Sequence, residues 1–338
     1  MKNLLSLESL SGDEIREILA LAAEMKATRG RHAAHPLRHQ CWGMLFSKSS
    51  TRTRVSFEVA IRELGGDALF FNANDLQLGR GEPIADTARV MGHMLHGAVI
   101  RTFAQADVDE FAAFSGLPTV NALTDAEHPC QVLADLFTIG ERLGDWRGKT
   151  VCYLGDGACN VPFSWLWAAA RLPGEFRLVI GAPPEFQPPK ELLARVRSAG
   201  ADVLCESDPQ AAITGADVVY TDVWVSMGKE MESAKRLQQL RAYQLDADLF
   251  RRARPGAIVM HCLPAYRGQE ITAEVLEAQA ETIFAQAGNR LPTQKAILSL
   301  LVAGRSVCTA LCPAGNGLRQ SRRNRGWTLH RSWKFEPF

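Results

Sequence analysis

Five consecutive residues, Ser50-Thr51-Arg52-Thr53-Arg54, carry three hydroxyls and two guanidiniums with no acid among them. They follow an apolar run, Cys41-Trp42-Gly43-Met44-Leu45-Phe46, and precede a helical run over 55–64 that stops at Gly65-Gly66. The stretch therefore sits where a strand ends and a helix begins. Backbone N–H groups in a first helical turn lack intrahelical partners and carry partial positive charge. With hydroxyl donors and two forked cations added, this describes a seat for phosphate or a similar anion. The same residues would also serve as an ordinary helix start, with Ser50 or Thr51 as N-cap and the arginines solvated.

Other polar residues stand at comparable places. Arg101 follows the apolar Ala98-Val99-Ile100 and needs an anionic partner, from a ligand or from the protein. His128-Pro129-Cys130-Gln131 opens a helix, where His128 and Gln131 are either ligand contacts or a helix start and surface. Asp222-Val223-Trp224-Val225-Ser226-Met227-Gly228 places a carboxylate, a hydroxyl and a thioether at a strand end, where Asp222 alone would serve as a turn-former. His261-Cys262-Leu263-Pro264 leaves the apolar Ile258-Val259-Met260, so Cys262 is either a reactive thiol or a buried inert one. The His/Cys pairs at 128/130 and 261/262 lack zinc-site spacing, and Cys308 and Cys312 stand alone near the end, so no metal is expected. Gly155-Asp156-Gly157-Ala158-Cys159-Asn160 resembles a dinucleotide loop. It lacks the third glycine, and the acid expected about 20 residues on falls in a proline-rich turn at Glu185. A nicotinamide dehydrogenase is the alternative of a different class.

These residues need strands and helices to hold them. A chain of 338 residues is long for one core, so two domains are expected. The hydrophobic share of 46% and charged share of 22% are those of a soluble globular protein. No run reaches the roughly 20 apolar residues of a membrane span, and no secretory signal opens the chain. Eight scattered cysteines fit reduced thiols in the cytoplasm better than a disulfide framework. The net charge of +1 gives no reason to expect nucleic acid. It divides into +6 over residues 302–338 and −5 over 1–301.

Ser11-Gly12-Asp13-Glu14 predicts a capping box and a packing helix ending near Gly30. Strands are predicted at 68–71, 98–100 and 118–123, with helices over 84–95 and from His128 to near Gly144. The polar stretch 72–83 reads as a candidate lid. The second half alternates strands at 150–154, 177–180, 202–205, 218–221 and 257–260 with helices at 160–170, 190–199, 210–214 and 245–253, and a last helix spans 291–302 with Pro292 in its first turn. The class is α/β: two domains, each an open, mainly parallel sheet flanked by helices, with a ligand cleft between them. The polar residues above all fall at carboxyl ends of strands, where such sheets bind ligands.

Taken together, the motifs are specific. Residues 50–58, Arg101 and His128-Pro129-Cys130-Gln131 resemble the carbamoyl phosphate signature of the aspartate/ornithine carbamoyltransferase family. The stretches at 222–228 and 261–268, Asp75-Leu76-Gln77-Leu78-Gly79 and Asn289-Arg290-Leu291 are similar to its ornithine branch, in order over residues 1–301. The resemblance implies transfer of a carbamoyl group from carbamoyl phosphate to the side-chain amine of L-ornithine, giving L-citrulline and phosphate, with no metal or organic cofactor. It implies that Ser50, Thr51, Arg52, Thr53 and Arg101 hold the phosphate. Gln77 would reach a phosphate site, often a neighbouring subunit's, in a trimer or a multiple of trimers. His128, Gln131 and Arg290 would contact the carbamoyl end, near Cys262 and Leu263. Asn160, Asp222, Ser226 and Met227 would hold ornithine, with Cys262, Arg101, His128 and Asp222 as catalytic groups.

With the stretch 144–148 as boundary, the reading is a carbamoyl phosphate domain over 1–145, completed by a helix at 290–302, and an ornithine domain over 146–289, while the basic tail over 303–338 reads as disordered from its composition. The chain departs from the family at Cys159, where asparagine is usual, at Gly288, where an acid is common, at Pro292, where histidine is common, and in the tail itself. Transfer to putrescine or an N-acylated ornithine is the nearer alternative. Intact Asp222 and Ser226-Met227 argue against it.

Overall fold

The computed structural model describes residues 1–72, 75, 81–225 and 233–310, with side chains as far as residue 303. The capping box forms as expected. Ser11 Oγ accepts the Glu14 N–H at 3.1 Å and the Glu14 carboxylate accepts the Ser11 N–H at 2.9 Å. Helix α1 (Gly12–Ala27) then buries Ile15, Ile18, Leu19 and Ala22.

The first sheet holds β1 (Cys41–Phe46), β2 (Asp67–Asn72), β3 (Gly97–Arg101) and β4 (Thr119–Leu123) in the order β2-β1-β3-β4, all parallel. Its connections include α2 (Thr51–Glu63), α3 (Ile84–Gly92) and α4 (Gln105–Ser115). Helix α5 (Pro129–Leu143) leads into the second sheet, made of β5 (Thr150–Leu154), β6 (Arg177–Gly181), β7 (Asp202–Glu206), β8 (Val218–Thr221) and β9 (Ile258–His261). Its order is β7-β6-β5-β8-β9, again all parallel. Around it lie α6 (Asn160–Arg171), α7 (Lys190–Ser198), α8 (Pro209–Ile213), α9 (Ser233–Leu240), α10 (Ala247–Phe250) and α11 (Ala273–Ala278). The central strands β3 and β8 are buried along their whole length, as apolar runs covered on both faces require.

Each sheet reverses its winding once. After β1 the chain adds β2 on one side and β3 on the other, so the loops after β1 and β3 part at the carboxyl edge. The same happens between β5 and β8. Such a switch point opens a crevice for a ligand. Ser50 and Arg101 flank the first, Asn160 and Asp222 the second.

Two helices link the halves. Helix α5 packs on β4, α1 and α6, while α12 (Ala280–Ala310) packs on α1, α2, α5 and β9. A single apolar core runs from Trp42 and Phe57 through Leu133 and Ile297 to Trp165 and Tyr220. Helix α12 departs from the expected 291–302. It begins at Ala280, runs on to Ala310 and carries Pro292 in its interior. Proline there removes one backbone hydrogen bond. Burial of Ile283, Ala296, Ile297, Leu298 and Leu301 holds the helix through it. No helix among the described residues is long and apolar enough to cross a membrane. Gln77, Ser226, Met227, most of the candidate lid and the tail after residue 310 lie outside the described residues.

Candidate active site

Ser50 is the N-cap of α2. Its hydroxyl accepts the Thr53 N–H at 3.2 Å and donates to Thr53 Oγ1 at 3.0 Å. The fully buried Thr53 hydroxyl also meets Arg290 Nη2 at 2.7 Å and Arg101 Nη1 at 3.5 Å. Residues from β1–α2, β3 and α12, far apart in the chain, thus converge on one oxygen. Arg52 is close enough for its charge to act on both buried arginines. Arg54 turns away, over the Phe70 ring at 3.8 Å and toward Glu58 at 3.6 Å.

The electrostatics of this cluster are one-sided. Among the described residues, Arg52, Arg101 and Arg290 have no carboxylate in ion-pair contact. Burial, then the neighbouring Arg290, pushes Arg101 down to about 10. Arg290 is lowered the same way, by burial first. Among the described residues, the buried N–H groups at Arg101 Nε and Arg290 Nε have no partner. Buried cations without an acid and with spare donors call for an anionic ligand.

His128 precedes Pro129 at the start of α5, and its backbone N–H donates to Ser164 Oγ at 2.8 Å. Burial, with Arg290 and Arg101 nearby, drives its imidazole well below the usual histidine range, so it is neutral at neutral pH. Its Nδ1 is unpartnered. Gln131 donates its amide to Asp135 Oδ1 at 2.9 Å and leaves its own oxygen unpartnered. A carbonyl and an amine on one small ligand would satisfy both.

On the second sheet, the Cys262 thiol donates to Asp222 Oδ1 at 2.8 Å, and the same oxygen accepts the Val223 N–H at 2.7 Å. Burial, then the adjacent carboxylate, raises the thiol well above its usual range. Cys262 is therefore a thiol, not a thiolate, at neutral pH. Burial also raises Asp222. Cys262 lies within electrostatic reach of Arg101 and Arg290, so this pair borders the cationic cluster. Leu263 has a positive φ of 59°, held by its N–H on His261 Nδ1 at 2.8 Å. His261 Nε2 lies 3.2 Å from Glu270. Asp222, His261 and Cys262 stand close enough to group as metal ligands. Both imidazole nitrogens are already committed, however, and the thiol proton goes to Asp222, so the set as built does not suit an ion.

Asn160 donates to the Thr124 carbonyl at 2.7 Å, which ties α6 to the loop after β4. Cys159 packs against Asp156 O at 3.2 Å and offers no side-chain cap to α6. The neighbouring glycines answer to the protein itself. A Cβ on Gly157 would meet Ile180 at 2.6 Å and the Phe186 carbonyl at 2.9 Å, and Asp156 is paired with Arg236. That leaves little of the dinucleotide reading.

Three groups here were not anticipated. Asp135 accepts from Gln131 and, at 2.7 Å, from Gln286 Nε2, and burial lifts its carboxyl to about 7. Gln286 in turn accepts the His261 N–H at 2.8 Å, so one buried chain joins α5, α12 and β9. An acid four residues after Gln131 on an otherwise apolar helix was the available signal. Lys48 is buried after β1, paired with Asp125 and 4.3 Å above the Phe103 ring. Glu127 is buried beside His128.

Residues 2–141 match the family described as aspartate/ornithine carbamoyltransferase, carbamoyl-P binding domain, and residues 147–301 match its Asp/Orn binding domain. The chain is 52% identical over 307 residues to an ornithine carbamoyltransferase of Akkermansia muciniphila, covering 90% of this chain and 99% of that one. It is 47% identical over 304 residues to that of Methanoculleus marisnigri, covering 90% and 97%. Among solved structures, the anabolic ornithine carbamoyltransferase of Campylobacter jejuni superposes with a TM-score of 0.85 at 40% identity, covering 90% of this chain and all of that one.

Proposed function

The chain belongs to the aspartate/ornithine carbamoyltransferase family, and from that premise we propose that it transfers the carbamoyl group of carbamoyl phosphate to L-ornithine, releasing L-citrulline and phosphate. The observation that carries the reading is the convergence of Arg101 and Arg290 on the Thr53 hydroxyl, without an acid, beside the Cys262–Asp222 pair.

The phosphate sits against the start of α2, on Ser50, Thr51, Arg52, Thr53 and Arg101. Forked guanidiniums and helix-start amides match its spread charge. The carbamoyl oxygen gains negative charge as its carbon becomes tetrahedral, and Thr53, Arg101 and neutral His128 stabilise it. The unpartnered Gln131 oxygen accepts from the carbamoyl amine, with Arg290 and Leu263 alongside. Ornithine lies across the gap, its α-ammonium toward Asp222 and its α-carboxylate toward the remaining Asn160 N–H, with Ser226 and Met227 completing its site. Its side-chain ammonium must lose a proton before the nitrogen can attack, and Asp222 with Cys262 positions the amine and takes that proton. The C–N bond then forms, the C–O bond to phosphate breaks, the attacking nitrogen passes its second proton to the departing phosphate oxygen, and phosphate leaves. Much of the rate comes from holding both substrates in register as two domains close on them.

The carbamoyl phosphate domain is placed at 1–145 with the α12 stretch 290–302, and the ornithine domain at 146–289. Gln77 reaching a neighbour's site makes the protein a trimer or a multiple of trimers, working in the cytoplasm. The test is an amine panel. Purified protein and carbamoyl phosphate are offered L-ornithine, putrescine, N-acetylornithine and L-aspartate while phosphate and ureido product are followed. The expected result is preference for ornithine, lost in Cys262→Ala and Asp222→Ala. Preference for another amine would overturn the second-sheet assignments, and no transfer at all would overturn the whole reading.

A further inference from the structure

The loop between β4 and α5, residues 124–128, delivers His128 and is pinned from three directions. It closes on itself, with the Thr124 N–H on the Glu127 carbonyl at 2.8 Å and the Glu127 N–H on Thr124 Oγ1 at 3.2 Å. Helix α6 of the second sheet holds it through Asn160, on the Thr124 carbonyl at 2.7 Å, and through Ser164, which accepts the His128 N–H at 2.8 Å. The N-terminal segment holds it through the Glu127 side chain. That carboxylate is 5% exposed and accepts the Ser6 hydroxyl, the Leu7 N–H at 3.0 Å and the Ser164 hydroxyl at 3.4 Å. One acid thus touches the start of the chain and the serine that fixes His128.

We infer that Glu127 is the positioning residue for His128, and that its ionised form, by accepting from all three donors, sets the loop for binding the carbamoyl donor. This rests on the reading of His128 as a contact for the carbamoyl end. Glu127 itself touches no substrate. It has no cation partner among the described residues, and burial lifts its carboxyl to about 7. The charged groups around it are Glu8 on the N-terminal turn, itself paired with Arg195 of α7, and Asp125 in the same loop, paired with Lys48. The groups that α6 turns to the loop, Asn160 and Ser164, are neutral, and His128 is held neutral. Protonating Glu127 removes an acceptor from the Ser6–Leu7–Ser164 set, so the hold on the donor weakens as pH falls through that value.

The test is steady-state kinetics of the full-length protein and its E127Q, S164A and H128N variants across pH 5.5–9. In the wild type the KM for carbamoyl phosphate is expected to rise about three- to tenfold toward the acid end. Glutamine keeps the shape, with its oxygen on Leu7 and its amide on Ser6, but it does not titrate. The KM of E127Q relative to the wild type is therefore expected to approach unity at the acid end and to rise about three- to tenfold toward the alkaline end, with kcat within about twofold. Substrate ionisations are common to all the proteins and cancel in the ratio. If E127Q keeps the wild-type pH profile while H128N loses activity, the inference is overturned and the site reading stands. If H128N changes nothing, the site reading falls and takes the inference with it. Should E127Q fail to fold by circular dichroism, S164A carries the test: a KM raised several-fold supports the inference, and an unchanged KM overturns it.

Discussion

The Thr53 hydroxyl is shared by Ser50, Arg101 and Arg290, while the α2 cap runs through the Thr53 backbone N–H. Its side chain can therefore be altered without uncapping the helix. Thr53→Val keeps the branched shape and the cap and deletes only the oxygen. It also leaves two buried guanidiniums facing a methyl group. If that oxygen belongs to the anion and carbonyl site, kcat/KM for carbamoyl phosphate should fall about 10²–10³-fold, the scale of one lost donor in an oxyanion hole. Circular dichroism should barely change, and Tm should fall modestly for the buried donors left unpaired. Kinetics equal to the wild type would remove Thr53 from the chemistry. Cys262 requires a different argument. With its proton on Asp222 and its thiol held above the usual range, it supplies a hydrogen bond and a shape rather than a nucleophile.

Helix α12 places Arg290 against α2, and Lys295, one to two turns further along, is buried in an ion pair with Glu63 at 2.6 Å. The two helices are thus tied both at the site and away from it. Between these ties and the helix start lies Gly288, where an added Cβ meets nothing within 4 Å. Glycine in a helix interior is about 0.5–1 kcal/mol less stable than alanine. Gly288→Ala should therefore raise unfolding stability by about that amount, read as a higher urea midpoint at unchanged m-value. A drop would mean that α12 needs to flex there.

Elements with local signals could be read from the sequence alone. The Ser11 capping box, the apolar strands and the Ser50 start of α2 appear within a residue or two of expectation. Helix α4 was missed because Ala104 offers no side-chain cap and only Val108, Phe111 and Ala112 mark its buried face. Helices α9 and α11 are short and were missed too. The start of α12 was missed because Pro292 reads locally as a helix opening, and only tertiary burial shows otherwise. The residues of the candidate site that converge in the fold, Thr53, Arg101, His128, Asp222 and Cys262, stood out in the sequence as polar groups after apolar strands. Asp135 and Glu127 did not, because what matters in them is the burial of a carboxyl among hydrogen-bond donors, which only packing reveals.

At the scale of the whole molecule, α5 and α12 are joined at several points, among them the Arg142–Glu281 ion pair and the hydrogen bonds of Asn289 to Thr138 and Glu141, and one buried link between them runs through an acid, Asp135. Asp135 accepts two carboxamides through Oδ1, and the Tyr220 hydroxyl and the Arg290 charge also act on its carboxyl. Burial outweighs those hydrogen bonds and raises its carboxyl from 3.8 to about 7. The sign of the linkage follows. A carboxyl raised on folding contributes stability that is complete below its unfolded value and is lost as pH rises through the folded one. Asp135 should therefore make the protein less stable between about pH 4 and 7, by on the order of 2–4 kcal/mol at most. Asp135→Asn keeps an oxygen for both carboxamides and removes the titration. Urea midpoints at pH 5 and pH 8 should show the variant gaining on the wild type at the higher pH. Glu127, shifted the same way, is present in both proteins and cancels in the difference. A difference that ignores pH would mean that Asp135 does not titrate in this window. A difference of opposite sign would mean that the cations of the site reach Asp135 strongly enough to hold it ionised, and this buried link would then be charged and not neutral.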